Sequence, residues 1–279
     1  MELTARGLTF TVRSGGPADG PVVLLLHGFP QHGGEWDAVV PALRQAGLRT
    51  IAPDQRGYTP GARPPDVADY ALDECVADAL AIMDAVGADR FHVVGHDWGA
   101  VVAWLLAVDH PERVRTLTAL SVPHPVAMTR AIRHDAGQKA RSAYIALFRQ
   151  KGIAEKVLLA ADAAALRRAF AGSGLDRPGV ERYVAPLRAP GALTAALNWY
   201  RAVDIGAFPT AGPVTVPTTF LWSDGDVAIG RVAADGCAEF VTGEYRFVPL
   251  AGVSHWIVDQ VPDVVVAEVL SRVNRATEG

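Results

Sequence analysis

The chain has 279 residues, enough for one large α/β domain or a core domain carrying an insertion. Half of its residues are hydrophobic and a fifth are charged, an ordinary globular composition; the net charge of −4, with scattered basic residues, leaves no electrostatic footprint for nucleic acid or an anionic membrane. Met1–Arg13 lacks the apolar core of a secretory signal, Val22–Leu26 is far too short to span a bilayer, and Cys75 and Cys237 lie far apart in helix-like segments, so a soluble chain in a reducing cytoplasm is expected.

Along the chain, apolar runs alternate with segments of helical period. Val22–His27 reads as a buried strand, Glu35–Ala46 as a helix, and Arg49–Asp54 as a short strand followed by the turn-rich loop Gln55–Pro65. Ala71–Val86 is amphipathic, with Leu72, Val76, Leu80 and Met83 recurring at helical spacing. A strand at Arg90–Gly95, a helix from about Gly99 to Asp109 and a strand at Val114–Val122 follow. Strands alternating with helices imply parallel βαβ units and a sheet covered on both faces. At Pro123-His124-Pro125 the rhythm changes, and the chain is rich in Ala, Arg and Leu without a convincing strand until about Gly212. Strands return at Val216–Ser223 and Tyr245–Leu250, and a last helix covers Pro262–Val273. The expected organisation is an α/β core over 1–122 and 213–279, interrupted by a helical insertion over 123–212.

The strand Arg90–Gly95 runs directly into Gly95-His96-Asp97-Trp98-Gly99 and then a helix. A G-x-nucleophile-x-G sequence in that context is a nucleophile elbow, whose strained turn stands the central side chain above the sheet. The flanking positions must be glycine, because a Cβ there would collide with neighbouring backbone. Here the centre is Asp97. A carboxylate is already an anion, needs no base before it attacks, and suits an electrophilic sp3 carbon, on which it forms an alkyl ester. The alternative for Asp97 is a plain helix cap.

The partners of such a nucleophile follow it as acid and then base. Of the eight histidines, His255 has the right address, in Gly252-Val253-Ser254-His255-Trp256, beyond the last strand and before the last helix. After the preceding strand, Ser223-Asp224-Gly225-Asp226 offers two carboxylates. Asp226 lies further out and is the choice for the acid that would orient His255, with Asp224 second. Backbone N–H donors for an oxyanion are expected at Phe29, in His27-Gly28-Phe29-Pro30, and at Trp98 after the nucleophile.

Together these marks resemble the α/β-hydrolase family and, within it, the epoxide hydrolases, over nearly the whole chain. The resemblance makes the insertion a helical cap and adds two residues from it, Tyr144 in Ser142-Ala143-Tyr144-Ile145 and Tyr200 in Asn198-Trp199-Tyr200-Arg201. In that family two cap tyrosines bind the epoxide oxygen. Asp54-Gln55-Arg56-Gly57-Tyr58-Thr59-Pro60-Gly61 is similar to the family's Asp-x-Arg-Gly loop, with Thr-Pro replacing a small residue, and is expected to shape the rim. Trp36, Trp98, Trp199, Trp256 and Phe29 are expected to line an apolar pocket between core and cap.

The reaction this implies takes a small apolar epoxide, with water as co-substrate. Asp97 attacks a ring carbon, the tyrosines stabilise and protonate the alkoxide, and His255 with Asp226 activates water to hydrolyse the ester. No metal-ligand spacing or phosphate-binding glycine loop appears, and no metal or organic cofactor is expected. The closest rival is a dehalogenase on the same fold, which would also use an aspartate but hold a halide with Trp or Asn N–H groups. Position 29 is Phe and not Asn, and a tyrosine pair suits an alkoxide better. A second rival is a catalytically silent ligand-binding protein on this scaffold, against which the Asp97–Asp226–His255 set argues.

Overall fold

In the computed structural model, which describes residues 1–208 and 212–277, the apolar runs pair into one eight-stranded sheet. Its strands are β1 (Glu2–Ala5), β2 (Leu8–Gly15), β3 (Val22–Leu26), β4 (Arg49–Pro53), β5 (Phe91–His96), β6 (Val114–Leu120), β7 (Thr218–Gly225) and β8 (Tyr245–Ser254), in the order β1-β2-β4-β3-β5-β6-β7-β8. From β4 to β8 every neighbouring pair is parallel; β1–β2 and β2–β4 are antiparallel. The helices are α1 (Val40–Gln45), α2 (Leu72–Ala85), α3 (Trp98–Asp109), α4 (Pro125–His134), α5 (Ala136–Arg141), α6 (Tyr144–Phe148), α7 (Ile153–Ala169), α8 (Arg177–Leu187), α9 (Ala192–Ala202), α10 (Arg231–Asp235), α11 (Ile257–Gln260) and α12 (Pro262–Thr277).

The inner strands β3 to β7 are buried on both faces because their alternate residues feed two separate cores. Leu24 and Leu26 of β3 pack with Val101 and Trp104 of α3 on one face. Val23 and Leu25 pack with Leu43 of α1 and Val265 and Val269 of α12 on the other. Between β6 and β7 every described element is helical, α4 to α9 with one 3-10 turn at Ile205–Ala207. The expected end of the insertion adjoins 209–211, outside the described residues.

Three local readings change. The N-terminal hairpin β1–β2 was not anticipated; its two-residue turn places Arg6 and Gly7 at φ 52° and 77°, the twist a tight hairpin needs. The expected helix Glu35–Ala46 divides into a 3-10 turn (Gly33–Ala38) and α1, which begins at Val40 with Pro41 in its first turn, where the missing N–H costs nothing. Strand β8 runs on to Ser254 and delivers the next residue, His255, to the sheet edge. Cys75 and Cys237 are both free and buried. No helix among the described residues is long and apolar enough to cross a membrane.

Candidate active site

Parallel strands all end on one edge, so the residues that follow β3, β5, β7 and β8 converge there. At the end of β5, Asp97 adopts φ 51° and ψ −119°, a conformation that costs a non-glycine residue energy and must be held by its surroundings. Its amide reaches Leu120 O at 3.4 Å, and its carbonyl accepts from Ala100 and Val101, starting α3. A Cβ at Gly95 would run into the Gly99 carbonyl, and one at Gly99 into the Leu26 carbonyl, so α3 can lie this close to β3 and β5 only with glycine at both positions. A Cβ at Gly28 would strike the Asp97 side chain itself.

Asp97 is buried, and its two oxygens face different partners. Oδ1 accepts the Phe29 N–H at 2.9 Å, and Oδ2 lies 3.5 Å from His255 Nε2. The other imidazole nitrogen, Nδ1, is 2.8 Å from Asp226 Oδ2. Asp226 Oδ1 accepts the Ala228 and Ile229 N–H groups at 2.7 and 2.9 Å. Asp224 is exposed and accepts the Gly252 N–H instead, at the turn within β8. The structure therefore brings Asp226, and not Asp224, to His255.

Charge follows from these contacts. Burial pushes the Asp97 carboxyl up, but His255, His96 and the Phe29 N–H outweigh it and hold it below its usual value. Burial likewise opposes the His255 imidazolium, yet Asp226 and Asp97 outweigh it and raise this histidine above the ordinary imidazole range.

Behind the imidazole lies a layer that sequence reasoning missed. The His255 carbonyl accepts from His96 Nε2 and from Ser121 Oγ, each at 2.9 Å. His96 Nδ1 sits 2.5 Å from Glu35 Oε1, both side chains fully buried, and Glu35 Oε2 accepts the Gly28 N–H at 3.3 Å. Burial disfavours a charged His96, but Glu35 reverses the balance and raises it. One buried acid–imidazole pair thus braces both the Gly28-Phe29 loop and the backbone of His255. His96 stood inside the elbow motif, but nothing in the spacing pointed from it to Glu35, 61 residues earlier.

Tyr144 and Tyr200 arrive from the insertion, on α6 and α9, with ring centres 6.2 Å apart. Both line one pocket with Asp97 and Trp98, whose remaining wall is apolar and includes Val122, Met128, Ile145, Ile205 and Phe208. Tyr200 is buried, edge-on to Trp98 at 5.0 Å and to Phe29 at 5.4 Å, while Tyr144 is 37% exposed. Loss of water around the hydroxyls in this pocket first, and then negative neighbours including Asp97, push both phenols above their usual range, for Tyr144 despite the exposure of the residue as a whole, so both keep their protons at neutral pH.

Three tryptophans do not line this pocket as expected. Trp36 is fully buried in the opposite core with Val23 and Leu25, because the chain after β3 turns back under the far face of the sheet. Trp199 precedes Tyr200 on α9 and so points elsewhere, donating to the Arg56 carbonyl at 2.8 Å while its ring touches Trp98. Trp256 stands edge-on to His255 at 5.2 Å but turns its N–H to the Ala169 carbonyl and stacks on Phe170. Within the Asp54–Gly61 loop, Thr59 is buried and donates to the Thr9 carbonyl of β2, and Arg56 forms a buried pair with Asp78.

A family model described as alpha/beta hydrolase fold matches residues 21–260. Epoxide hydrolase A of Mycobacterium tuberculosis is 34% identical over 305 residues, covering 95% of this chain and 94% of that protein. An AB hydrolase superfamily protein of Bacillus subtilis, YfhM, is 36% identical over 271 residues, covering 94% and 93%. Among solved structures, an epoxide hydrolase from Bacillus megaterium in complex with an inhibitor superposes with a TM-score of 0.90 at 25% identity, covering 98% of this chain and all of that one. Epoxide Hydrolase A from Mycobacterium thermoresistibile gives 0.87 at 28% identity, covering 98% and 97%.

Proposed function

The chain belongs to the α/β-hydrolase fold family, and within it we propose that this protein opens an epoxide to a vicinal diol through an ester on Asp97. One observation carries the reading. The two oxygens of a buried carboxylate are divided between an oxyanion donor and an imidazole, and two protonated phenols share its otherwise apolar pocket. That arrangement supports the following sequence of steps. Asp97 Oδ2 attacks an epoxide carbon as the C–O bond breaks, and Tyr144 or Tyr200 gives the ring oxygen its proton. Oδ1 becomes the ester carbonyl, already bonded to the Phe29 N–H. His255 then takes a proton from water, whose oxygen adds to the ester carbon, and Phe29 and Trp98 N–H groups receive the oxyanion. Collapse breaks the bond between that carbon and Oδ2, the His255 proton goes to the departing diol oxygen, and the new Asp97 carboxylic acid gives up its proton to restore the tyrosine, so both groups return to their starting states.

The pocket supports an apolar substrate, since Asp97 and the phenols are its polar features. The Trp98 ring, which a dehalogenase would turn to a halide, stands edge-on to Tyr200 at 5.0 Å. The test is a single turnover with styrene oxide in 18O-water, followed by mass analysis of peptides. Label is expected in the peptide containing Asp97, because water attacks the ester carbonyl. Label in the diol alone would mean direct attack by water and no ester. A parallel panel of haloalkanes is expected to give no halide release; release without diol formation from any epoxide would make dehalogenation the function.

A further inference from the structure

The loop that carries Asp226 is held from outside the core. Residues 226–230 follow β7, and on the core side the Trp222 indole donates to the Ile229 carbonyl at 3.1 Å. Its other strong partners come from α5 of the insertion. Gln138 is fully buried, accepts the Gly230 N–H at 2.7 Å and donates to the Ala228 carbonyl at 2.8 Å. Its side-chain amide thus pairs with the loop as another strand would. Arg141, one turn later, donates to the Asp226 carbonyl at 2.6 Å. Asp135 fixes the start of α5 by accepting the Gln138 N–H at 2.6 Å.

We propose that α5 seats the triad acid, with Gln138 and Arg141 as positioning residues for ester hydrolysis; this rests on reading Asp226 as the acid behind His255. The Asp226 carboxylate has one oxygen on the loop's own Ala228 and Ile229 N–H groups and the other on His255, so any tilt of the loop moves the acid against the imidazole. A buried amide bonded at both ends resists such a tilt, because freeing either end leaves a polar group unpaired. Alkylation needs only the Asp97 anion and the phenols. Ester hydrolysis needs His255 oriented and its positive charge stabilised, so the clamp acts on the second half-reaction.

The experiment is single-turnover kinetics on styrene oxide with Gln138→Leu and Arg141→Met, following ester formation and ester decay separately across pH. Ester decay is expected to slow by at least about tenfold, approaching the about 10²-fold that a misplacement of about 1 Å can cost, while ester formation stays within about threefold. The midpoint of the decay rate against pH is expected to move down, because an acid held less firmly stabilises the imidazolium less. Arg141→Lys, which keeps a donor for the Asp226 carbonyl, is expected to recover most of the rate. Should Gln138→Leu fail to fold, Arg141→Met and Arg141→Lys carry the same comparison. Equal loss of both steps would reduce α5 to general support and overturn the proposal, as would wild-type decay in both variants while Asp226→Asn traps the ester. Wild-type decay in Asp226→Asn itself would instead remove the acid's role, and this proposal with it.

Discussion

Asp97 and His255 set each other's charge, and that coupling gives the two half-reactions different pH behaviour. In the free protein both Asp226 and Asp97 raise the imidazole, so His255 is held protonated. Esterification neutralises Asp97 and removes one of those two carboxylates, so the imidazole falls back toward its ordinary range and becomes a usable base. Ester decay is therefore expected to rise with pH and to fail in acid as the ring protonates. Ester formation needs only the Asp97 anion, whose pKa is lowered, and is expected to persist below that point. Rapid-quench mass spectrometry should find ester accumulating at acidic pH; two rates that decline together would contradict this. Removing the base itself, by His255→Gln, is expected to trap the ester at every pH. Asp226→Asn should slow the same step by on the order of 10²-fold or more, since an amide cannot stabilise the imidazolium. Asp224→Asn, whose side chain touches the Gly252 amide and not His255, should leave it within about twofold. A larger loss at Asp224 would reassign the acid.

At the scale of elements, the site is one rigid strand–turn–helix corner faced by two helices of the insertion. The corner was legible in sequence because its constraints are local: a strand running straight into two glycines and a nucleophile within five residues. The helices α6 and α9 present Tyr144 and Tyr200 from positions 56 residues apart, and only a family resemblance linked them to Asp97. Their function can be separated from their packing by removing the hydroxyl alone. Negative charge grows on the epoxide oxygen as the ring opens, so a phenol donor counts for more in the transition state than before it. Tyr200→Phe and Tyr144→Phe are each expected to slow ester formation by on the order of 10²-fold, about 3 kcal/mol, and the double variant to be nearly inactive. Ester decay should be spared, because it draws on the Phe29 and Trp98 amides. Stopped-flow tryptophan fluorescence of ester formation decides the matter; unchanged rates in the double variant would take away the main reason for an epoxide substrate.

For the whole molecule, the catalytic residues gather at one edge of the sheet, and each face of the sheet carries its own supporting core. Trp36 shows the consequence. It follows the Phe29 loop by a few residues, yet it is fully buried against Val23, Leu25 and Leu43 in the core beneath α1 and α12. Trp36→Ala is expected to lower stability by about 3–5 kcal/mol, the usual cost of emptying so large a buried site, while kcat/KM of the folded fraction stays unchanged. Urea denaturation and steady-state kinetics on one preparation measure both. A changed substrate preference would return Trp36 to the pocket.

What the amino-acid sequence determined by itself was whatever depends on neighbours along the chain. The alternation of apolar runs and helical periods specified a parallel α/β sheet, the Gly-x-Asp-x-Gly corner specified the nucleophile, and the order of later loops placed Asp226 and His255. Cues of the same local kind are weak at two points: Arg6-Gly7 is a poor hairpin signal, and Pro41 inside a helical period does not by itself mark the start of a new helix. What only the tertiary structure decided was which distant residues meet. Asp226 was preferred to Asp224 by its place in the loop, but the contact with His255 comes from packing β7 against β8. Glu35 and His96 beneath the imidazole, Gln138 and Arg141 over the acid loop, and the turning away of Trp36 and Trp256 follow no spacing in sequence; the turning away of Trp199 follows from its place beside Tyr200 on one helix. They depend on which face of a strand or helix a side chain leaves from, and on which buried polar group lies within reach to satisfy it.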